Sequence, residues 1–381
     1  MTKKTDPSKY SFRATQFREF VWTHSDFLVL ISQKINGKNY WNCICSAMDW
    51  LDVATENLDS IKINKSDWKE MSMQIYMYIS CIDIVFECIK ALHKFFINSK
   101  TIPFENENSI FNDCRLYKDD NEYFKHIRAA FGAHPVEIRE GKNKNKIERY
   151  ASWPVSKGRS EFDFYVLLYS EKQNDASIPF GFKMKQLELF FDTRYKYLEK
   201  IEKAIREKKI DFFNEMKSIP IMKVNDPIEQ LAILKRENDM RLNNQSYDET
   251  IDWLTCFFST EFIEEKNYKY VKLLKDEMLN GVNELLDNIQ NLVVPEFLKI
   301  DSILNPEYSH IEGFSGYVFA QITANVQGTD KPIFGLTSEV ADVLSEYIVF
   351  EYQSIEELYW LVIIALHIYN NYYSNNDNDD I

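Results

Sequence analysis

The sequence predicts a mainly α-helical protein with a small β element. Apolar residues recur every three or four positions over most of the 381-residue chain, a spacing typical of helices. Glycine and proline are scarce, with 10 of each, and an all-β protein needs glycine in its hairpin turns. In the middle of the chain the pattern changes to strict alternation, which is typical of strands. At about 150 residues per domain, this length indicates two or three domains.

Three helices are expected early in the chain. Apolar residues have helical spacing over 20–35 and again over 40–58. Asp67 and Glu70 form a capping-box pattern at the start of a third helix. Its apolar spacing continues to Phe96, so we expect the long central helix of a bundle.

A fourth helix completes the predicted N-terminal bundle, which we assign to residues 1–140. It begins near Asp119 or Asp120, since acidic side chains suit the positive end of a helix, and it reaches Phe131. Residues 1–18 are expected to be a mobile arm or a lead-in to the first helix.

Residues 141–185 are expected to hold the small β element, with extended segments at 151–155, at 162–169 and, less clearly, at 178–184. In the middle segment, four apolar residues alternate with the others: Phe162, Phe164, Val166 and Leu168. Helical spacing returns over 186–381, which we assign to a C-terminal helical region.

Composition narrows the class of protein. The formal net charge of −14 excludes a uniformly basic protein that coats nucleic acid, but it allows a local basic site. The six cysteines form no CxxC pair, which indicates reduced thiols in the cytoplasm. The apolar run 358–369 follows a capping pattern at Ser354 and Glu357, and its length favours a buried helix over a membrane span. No signal peptide is visible.

Motifs for several common chemistries are absent from the sequence. It contains no glycine-rich phosphate loop, no HExxH motif and no Cys/His cluster with zinc spacing. We therefore expect neither a cofactor nor a metal.

The segment that carries chemistry contains Arg128 and His134. On an unbroken helix their side chains would lie about 120° apart and would not converge. Gly132 favours a helix end, because glycine readily adopts the left-handed conformation that follows a C-cap. Pro135 then disfavours helix at the residue before it. The sequence therefore allows the guanidinium and the imidazole to face one pocket.

Such a pair suits cleavage of a phosphodiester in RNA. A histidine with a pKa near neutrality can take the proton of the ribose 2′-OH or give one to the leaving oxygen. An arginine can hold the phosphate and stabilise its developing negative charge. The 2′-OH is the nucleophile in this reaction, so DNA would not be cleaved and no metal is needed.

The spacing of Arg128 and His134 resembles the R-x(4–6)-H pattern of the HEPN superfamily. The stretch YFKHIRAAFGAHPVEI, followed by YASWPV and FDFYVLLYS, is similar to uncharacterised bacterial proteins with an "R…HP" element. The resemblance covers roughly 20–140. It implies a HEPN-like four-helix bundle and a metal-independent ribonuclease of bacterial defence or toxin systems. It also implies a homodimer that pairs two motifs. Ala129 stands where active members usually carry a polar residue, often Asn.

A basic segment follows the motif. Residues 139–160 contain seven basic and two acidic residues, on an otherwise acidic chain. This segment would attract an RNA backbone. The candidate RNA-binding residues are Lys142, Lys144, Lys146 and Arg149. Tyr150 and Trp153 are candidates for stacking on bases. Alternatively, the lysines belong to a solvated loop and the aromatic residues to the core of the β element.

Two other functions remain open. The bundle could be a non-catalytic dimerisation or sensor module that binds a protein or nucleic-acid partner. That alternative predicts an intrachain salt bridge at Arg128, with three acidic residues as candidates: Asp119, Asp120 and Glu122. The other alternative is a hydrolase or transferase with its site in 210–381. A protein inhibitor is a further candidate partner for the ribonuclease.

Overall fold

The chain divides into two compact units, Met1–Asp211 (the first unit) and Phe212–Ile381 (the second unit). The computed structural model describes residues 9–33, 38–111, 117–132, 138–140, 147–155, 161–328 and 342–376. These residues are mainly helical, as predicted. The division falls inside a helix at Asp211 and not at residue 186, so more helix belongs with the N-terminal bundle than we predicted.

The first unit contains seven described helices, of which one is longer than the others. They are α1 (Tyr10–Trp22), α2 (Ser25–Gln33), α3 (Tyr40–Ser60), α4 (Trp68–Phe96), α5 (Asp120–Gly132), α6 (Met184–Tyr195) and α7 (Tyr197–Ser218), the last of which continues into the second unit. Helix α4 contacts α3, α5 and α6. Its buried side chains recur at intervals of three and four, as predicted, and include Ile75, Ile79, Ile82, Phe86 and Ile89.

The predicted limits of α4 are confirmed. Asp67 Oδ1 accepts the backbone N–H groups of Lys69 at 2.8 Å and of Glu70 at 3.2 Å. This cap satisfies donors that have no partner within the helix, so the helix begins at Trp68. It ends at Phe96.

The prediction of one helix over 20–35 is wrong. Helix α1 ends at Trp22, where the hydroxyl of Thr23 and the Nδ1–H of His24 both donate to the carbonyl of Phe20 at 2.8 Å. The side chains thus take the place of the backbone N–H group that would bond to this carbonyl if the helix continued. From Tyr10 onward the chain is helical and is not a mobile arm. The carboxylate of Asp59 accepts the N–H groups of the first two helical residues at 3.0 Å each.

One antiparallel sheet forms the β element. Its strands are β1 (Ile138–Glu140), β2 (Ile147–Ala151), β3 (Phe164–Ser170) and β4 (Ile178–Phe182), in the spatial order β1-β2-β3-β4. Strands β3 and β4 confirm two of the predicted segments, and Phe164, Val166 and Leu168 are buried as the alternation indicated. The segment 151–155 is not a strand. It leaves the sheet after Ala151 and keeps one isolated bridge, between Val155 and Tyr165.

The second unit is helical. It contains α8 (Pro227–Arg241), α9 (Gln245–Ser259), a 3-10 helix (Glu265–Asn267), α10 (Tyr268–Asn291), α11 (Asp301–Leu304), α12 (Gly316–Val326) and α13 (Ile355–Asn376). Residues 358–366 of α13 are all buried, so this run is a core helix, as expected. Among the described helices, none is both long and apolar enough to cross a membrane.

Glu357 fixes the start of α13. Its side chain is buried, and its carboxylate accepts the N–H of Ile263 at 2.8 Å and that of Gln353 at 2.9 Å. The N–H of Glu357 itself donates to Ser354 Oγ at 3.1 Å, which confirms the predicted cap. The core helix is thereby tied to the segment that follows α9.

We expect Glu357→Ala to lower the free energy of unfolding by about 2–4 kcal/mol, since it leaves two backbone donors without their acceptor. Glu356→Ala is the matched control, because it removes a carboxylate from the same turn and should cost under about 0.5 kcal/mol. Urea unfolding of both variants measures the difference. Equal losses would show that the carboxylate bonds contribute nothing.

His93 lies where α4, the following loop and α7 meet. Its ring is buried, with Nδ1 at 2.8 Å from the hydroxyl of Tyr197 and Nε2 at 2.9 Å from that of Thr101. Burial lowers the pKa of His93 below its usual value, and the charge of Lys200 adds to this effect. The folded protein therefore holds this ring neutral to lower pH than the unfolded chain does.

The contribution of His93 to stability is therefore complete above pH about 6.5 and is lost as the pH falls from there through the folded-state pKa. His93→Gln keeps polar atoms beside both hydroxyls but cannot be protonated. We expect the free energy of unfolding of this variant to fall less steeply with acidification, by at most about 1.4 kcal/mol per pH unit. Identical slopes for the two proteins between pH 7.5 and 5.5 would contradict this account of His93.

Candidate functional site

The start of α5 is set by a buried carboxylate. Asp120 is fully buried and accepts three backbone N–H groups, those of Ser109, Ile110 and Phe111, at 3.0–3.1 Å. Asp119 accepts the N–H of Glu122 at 2.8 Å. The acidic pair that predicted the helix start therefore also holds the preceding loop against the first turn.

Contacts from the sheet and from α6 fix the rest of α5. The hydroxyl of Tyr123 donates to the carbonyl of Gly181 in β4 at 2.7 Å. Arg194 Nη2 donates to Asn121 Oδ1 at 2.8 Å, while its guanidinium lies 3.7 Å from the centre of the Phe190 ring. Burial lowers the pKa of Arg194 to about 10, so it remains a cation at neutral pH. These contacts determine which residues α5 presents to solvent.

Arg128 lies on the last full turn of α5, and 47% of its side chain is exposed. Its Nη1 donates to Asp83 Oδ2 of α4 at 2.6 Å. Burial raises the pKa of the Asp83 carboxyl, and the neighbouring guanidinium opposes that rise. The structure thus places Arg128 in an intrachain salt bridge, with a partner other than the three acidic residues that we considered.

A charged groove of about 400 Å³ surrounds this salt bridge between α4 and α5. Its charged residues are Asp83, Glu87, Glu105, Asp119, Glu122, Lys90, Lys118, Lys125 and Arg128. Lys90 Nζ lies 2.6 Å from Glu87 Oε1. Lys118 Nζ lies 2.7 Å from Glu105 Oε1. Acidic and basic side chains therefore nearly balance, and the groove carries no large positive charge of its own.

Helix α5 ends at Gly132, as the glycine predicted. Gly132 has no positive φ, so the left-handed conformation that we expected there does not occur. A Cβ atom at Gly132 would lie 3.1 Å from the ring of Tyr76 on α4. A side chain at this position would require the ring of Tyr76 to move by a few tenths of an ångström. His134 lies outside the described residues.

The predicted RNA-binding set is described only in part. Lys142, Lys144 and Lys146 fall outside the part of the chain that the structure describes. Arg149 is 4% exposed, and its Nη2 lies 3.3 Å from Asp175 Oδ2. A buried guanidinium in an ion pair is not available to an RNA phosphate, so the assignment of Arg149 to an RNA surface is wrong.

An apolar groove of about 540 Å³ lies at the other end of the α4–α5 contact. Three segments line it, namely Ser72, Met73 and Tyr76 of α4, 130–132 of α5, and 151–154 after β2. Of the residues that line this groove, only Trp153 was predicted from the sequence to take part in binding. A further signal was present in α4, where the large apolar side chains of Met73, Tyr76 and Met77 lie within about 100° of one another on the helix and are exposed.

Comparisons with known proteins provide no relative with which this geometry can be compared. No known protein family matches the chain, and neither a curated protein nor a solved structure is similar to it. The HEPN resemblance therefore stays a prediction. Within the described residues, no group of three or more His, Cys, Asp and Glu side chains could hold a metal ion.

The Arg128–Asp83 salt bridge should contribute little to stability because the arginine is half exposed. A double-mutant cycle with Arg128→Ala and Asp83→Asn, followed by urea unfolding, is expected to give a coupling energy under about 1 kcal/mol. Arg128 would then be available for a role other than holding the fold. A loss above about 2 kcal/mol for Arg128→Ala alone would instead make it a structural residue.

Proposed function

We propose that the first unit is a metal-independent endoribonuclease, in which Arg128 holds the scissile phosphate and His134 transfers protons. The observation that supports this proposal is the half-exposed guanidinium of Arg128, whose Nη1 bonds to Asp83 at the edge of an open groove. An arginine has five N–H donors, so one bond to a carboxylate leaves others for a phosphate. The same bond orients the guanidinium before RNA binds.

The spacing along the chain supports a shared site. Arg128 lies four residues before the end of α5, about 6 Å along the helix axis. His134 follows Gly132 by two residues, and two residues span at most about 7 Å. The length of chain between the two residues is therefore short enough to allow both side chains to reach one phosphodiester.

The reaction that fits this pair is transesterification. A neutral His134 takes the proton of the ribose 2′-OH, and the 2′-oxygen forms a bond to phosphorus. The bond between phosphorus and the 5′-oxygen breaks, and that oxygen takes a proton from a protonated imidazole. The products are a 2′,3′-cyclic phosphate and a 5′-hydroxyl end. A homodimer, which the HEPN resemblance implies, would supply a second His134 for the second proton transfer.

The test is incubation of the purified protein with total RNA in EDTA. We expect cleavage, and we expect His134→Ala to lower its rate by about 10²–10⁴-fold, because a general acid–base group is lost. His310→Ala is the matched control, since it removes an exposed histidine from the second unit. Equal melting temperatures would show that the variants are folded. Cleavage that survives in His134→Ala, or no cleavage by the unaltered protein, would overturn the proposal.

A second candidate is a non-catalytic module that binds a protein or nucleic-acid partner. The Arg128–Asp83 salt bridge favours it, since that function requires no free arginine, and the near balance of charge in the groove agrees with it. This candidate predicts that no RNA is cleaved and that His134→Ala changes nothing. The same assay therefore separates the two functions.

A further inference from the structure

The two grooves lie along one line, the contact between α4 and α5. The helices run in opposite directions there, so that Tyr76 is beside Gly132 and Asp83 is beside Arg128. Tyr76 and Asp83 are seven positions apart, which is about 10 Å along the axis of α4. An extended ligand on this line would meet the apolar groove first and Arg128 next.

The apolar groove exposes aromatic rings. Trp153 is 64% exposed, the largest value among the described tryptophans. Its ring lies edge-on to that of Trp68, with centroids 6.2 Å apart. The side chain of Tyr76 is exposed across the groove. Contiguous apolar groups left in water at such a concave surface are typical of a binding site.

The two serine hydroxyl groups in the groove are already used by the fold. Ser72 Oγ donates to the carbonyl of Trp68 at 2.7 Å. Ser152 Oγ accepts the N–H of Leu167 at 2.8 Å and donates to the carbonyl of Trp153 at 3.1 Å. A flat ligand would therefore be held by stacking more than by hydrogen bonds to its edge. Stacking of this kind accepts every nucleobase.

Positive charge beside the groove favours an anionic partner. Lys69 Nζ lies 5.7 Å from the centre of the Trp68 ring, and Lys65 is also exposed just before α4. An RNA strand combines a negative backbone with bases that can stack. A second copy of this chain would instead place its own lysines against the lysines of the first copy, and like charges repel.

We propose that the apolar groove seats one unpaired nucleobase of a single-stranded RNA, next to the phosphate held by Arg128. This inference rests on the proposed function, because it takes Arg128 as the phosphate site. It adds the substrate class, which is unpaired RNA bound through Trp153 and Tyr76 with little preference for base identity.

The experiment measures fluorescence anisotropy of a short, labelled, single-stranded 2′-O-methyl RNA, which binds but cannot be cleaved for lack of a 2′-OH. Trp153→Ala should weaken binding about ten- to a hundredfold, the effect of losing one stacked base. Trp50→Ala is the matched control, as it removes an exposed tryptophan from α3 that does not line the groove, and it should bind normally. An oligonucleotide with abasic sites has no base to stack. It should therefore bind the unaltered protein and Trp153→Ala with the same weak affinity.

Other outcomes overturn the inference separately from the proposed function. If Trp153→Ala binds RNA normally while His134→Ala still abolishes cleavage, the nucleobase site is wrong and the ribonuclease stands. If Trp153→Ala weakens binding but the unaltered protein cleaves nothing, the base site stands and the catalytic proposal fails. If Trp153→Ala changes only the sedimentation of the protein without RNA, the groove joins two copies of the chain, which overturns the inference.

Discussion

The packing of α5 against α4 is the constraint on which the candidate site depends. Asp120 determines where α5 begins, because three backbone N–H groups of the preceding loop donate to its buried carboxylate. That starting point places Arg128 opposite Asp83 and Gly132 opposite Tyr76. Moving α5 by one residue would rotate each side chain by about 100° and separate both pairs.

Local signals predicted much of the fold. Helix α4 could be placed from Asp67 to Phe96 because a cap and a regular apolar spacing lie within the helix itself. The inward side of β3 followed from alternation for the same reason. The start of α1 could not be predicted, since Asp59, the carboxylate that caps it, lies about fifty residues further along the chain.

The candidate site was predicted less well because its contacts join distant segments. Arg128 was identified, but only acidic residues close in sequence were considered as partners, whereas Asp83 lies on another helix. Arg149 counted toward a basic patch, yet a charge count does not show that a side chain is buried. Gly132 correctly indicated where α5 ends, but not the ring of Tyr76 beside it, which comes from another helix. The apolar groove draws on three segments, and no single stretch of sequence reveals it.

The most direct test of RNA binding along the α4–α5 contact is photo-crosslinking with single-stranded 2′-O-methyl RNA that carries thiouridine. Mass spectrometry would identify the attached residues. We expect crosslinks at Trp153 and Tyr76, the exposed rings of the apolar groove, and fewer of them in Arg128→Ala, because the neighbouring phosphate loses its partner. Crosslinks confined to Phe212–Ile381, or a pattern unchanged by Arg128→Ala, would contradict the account.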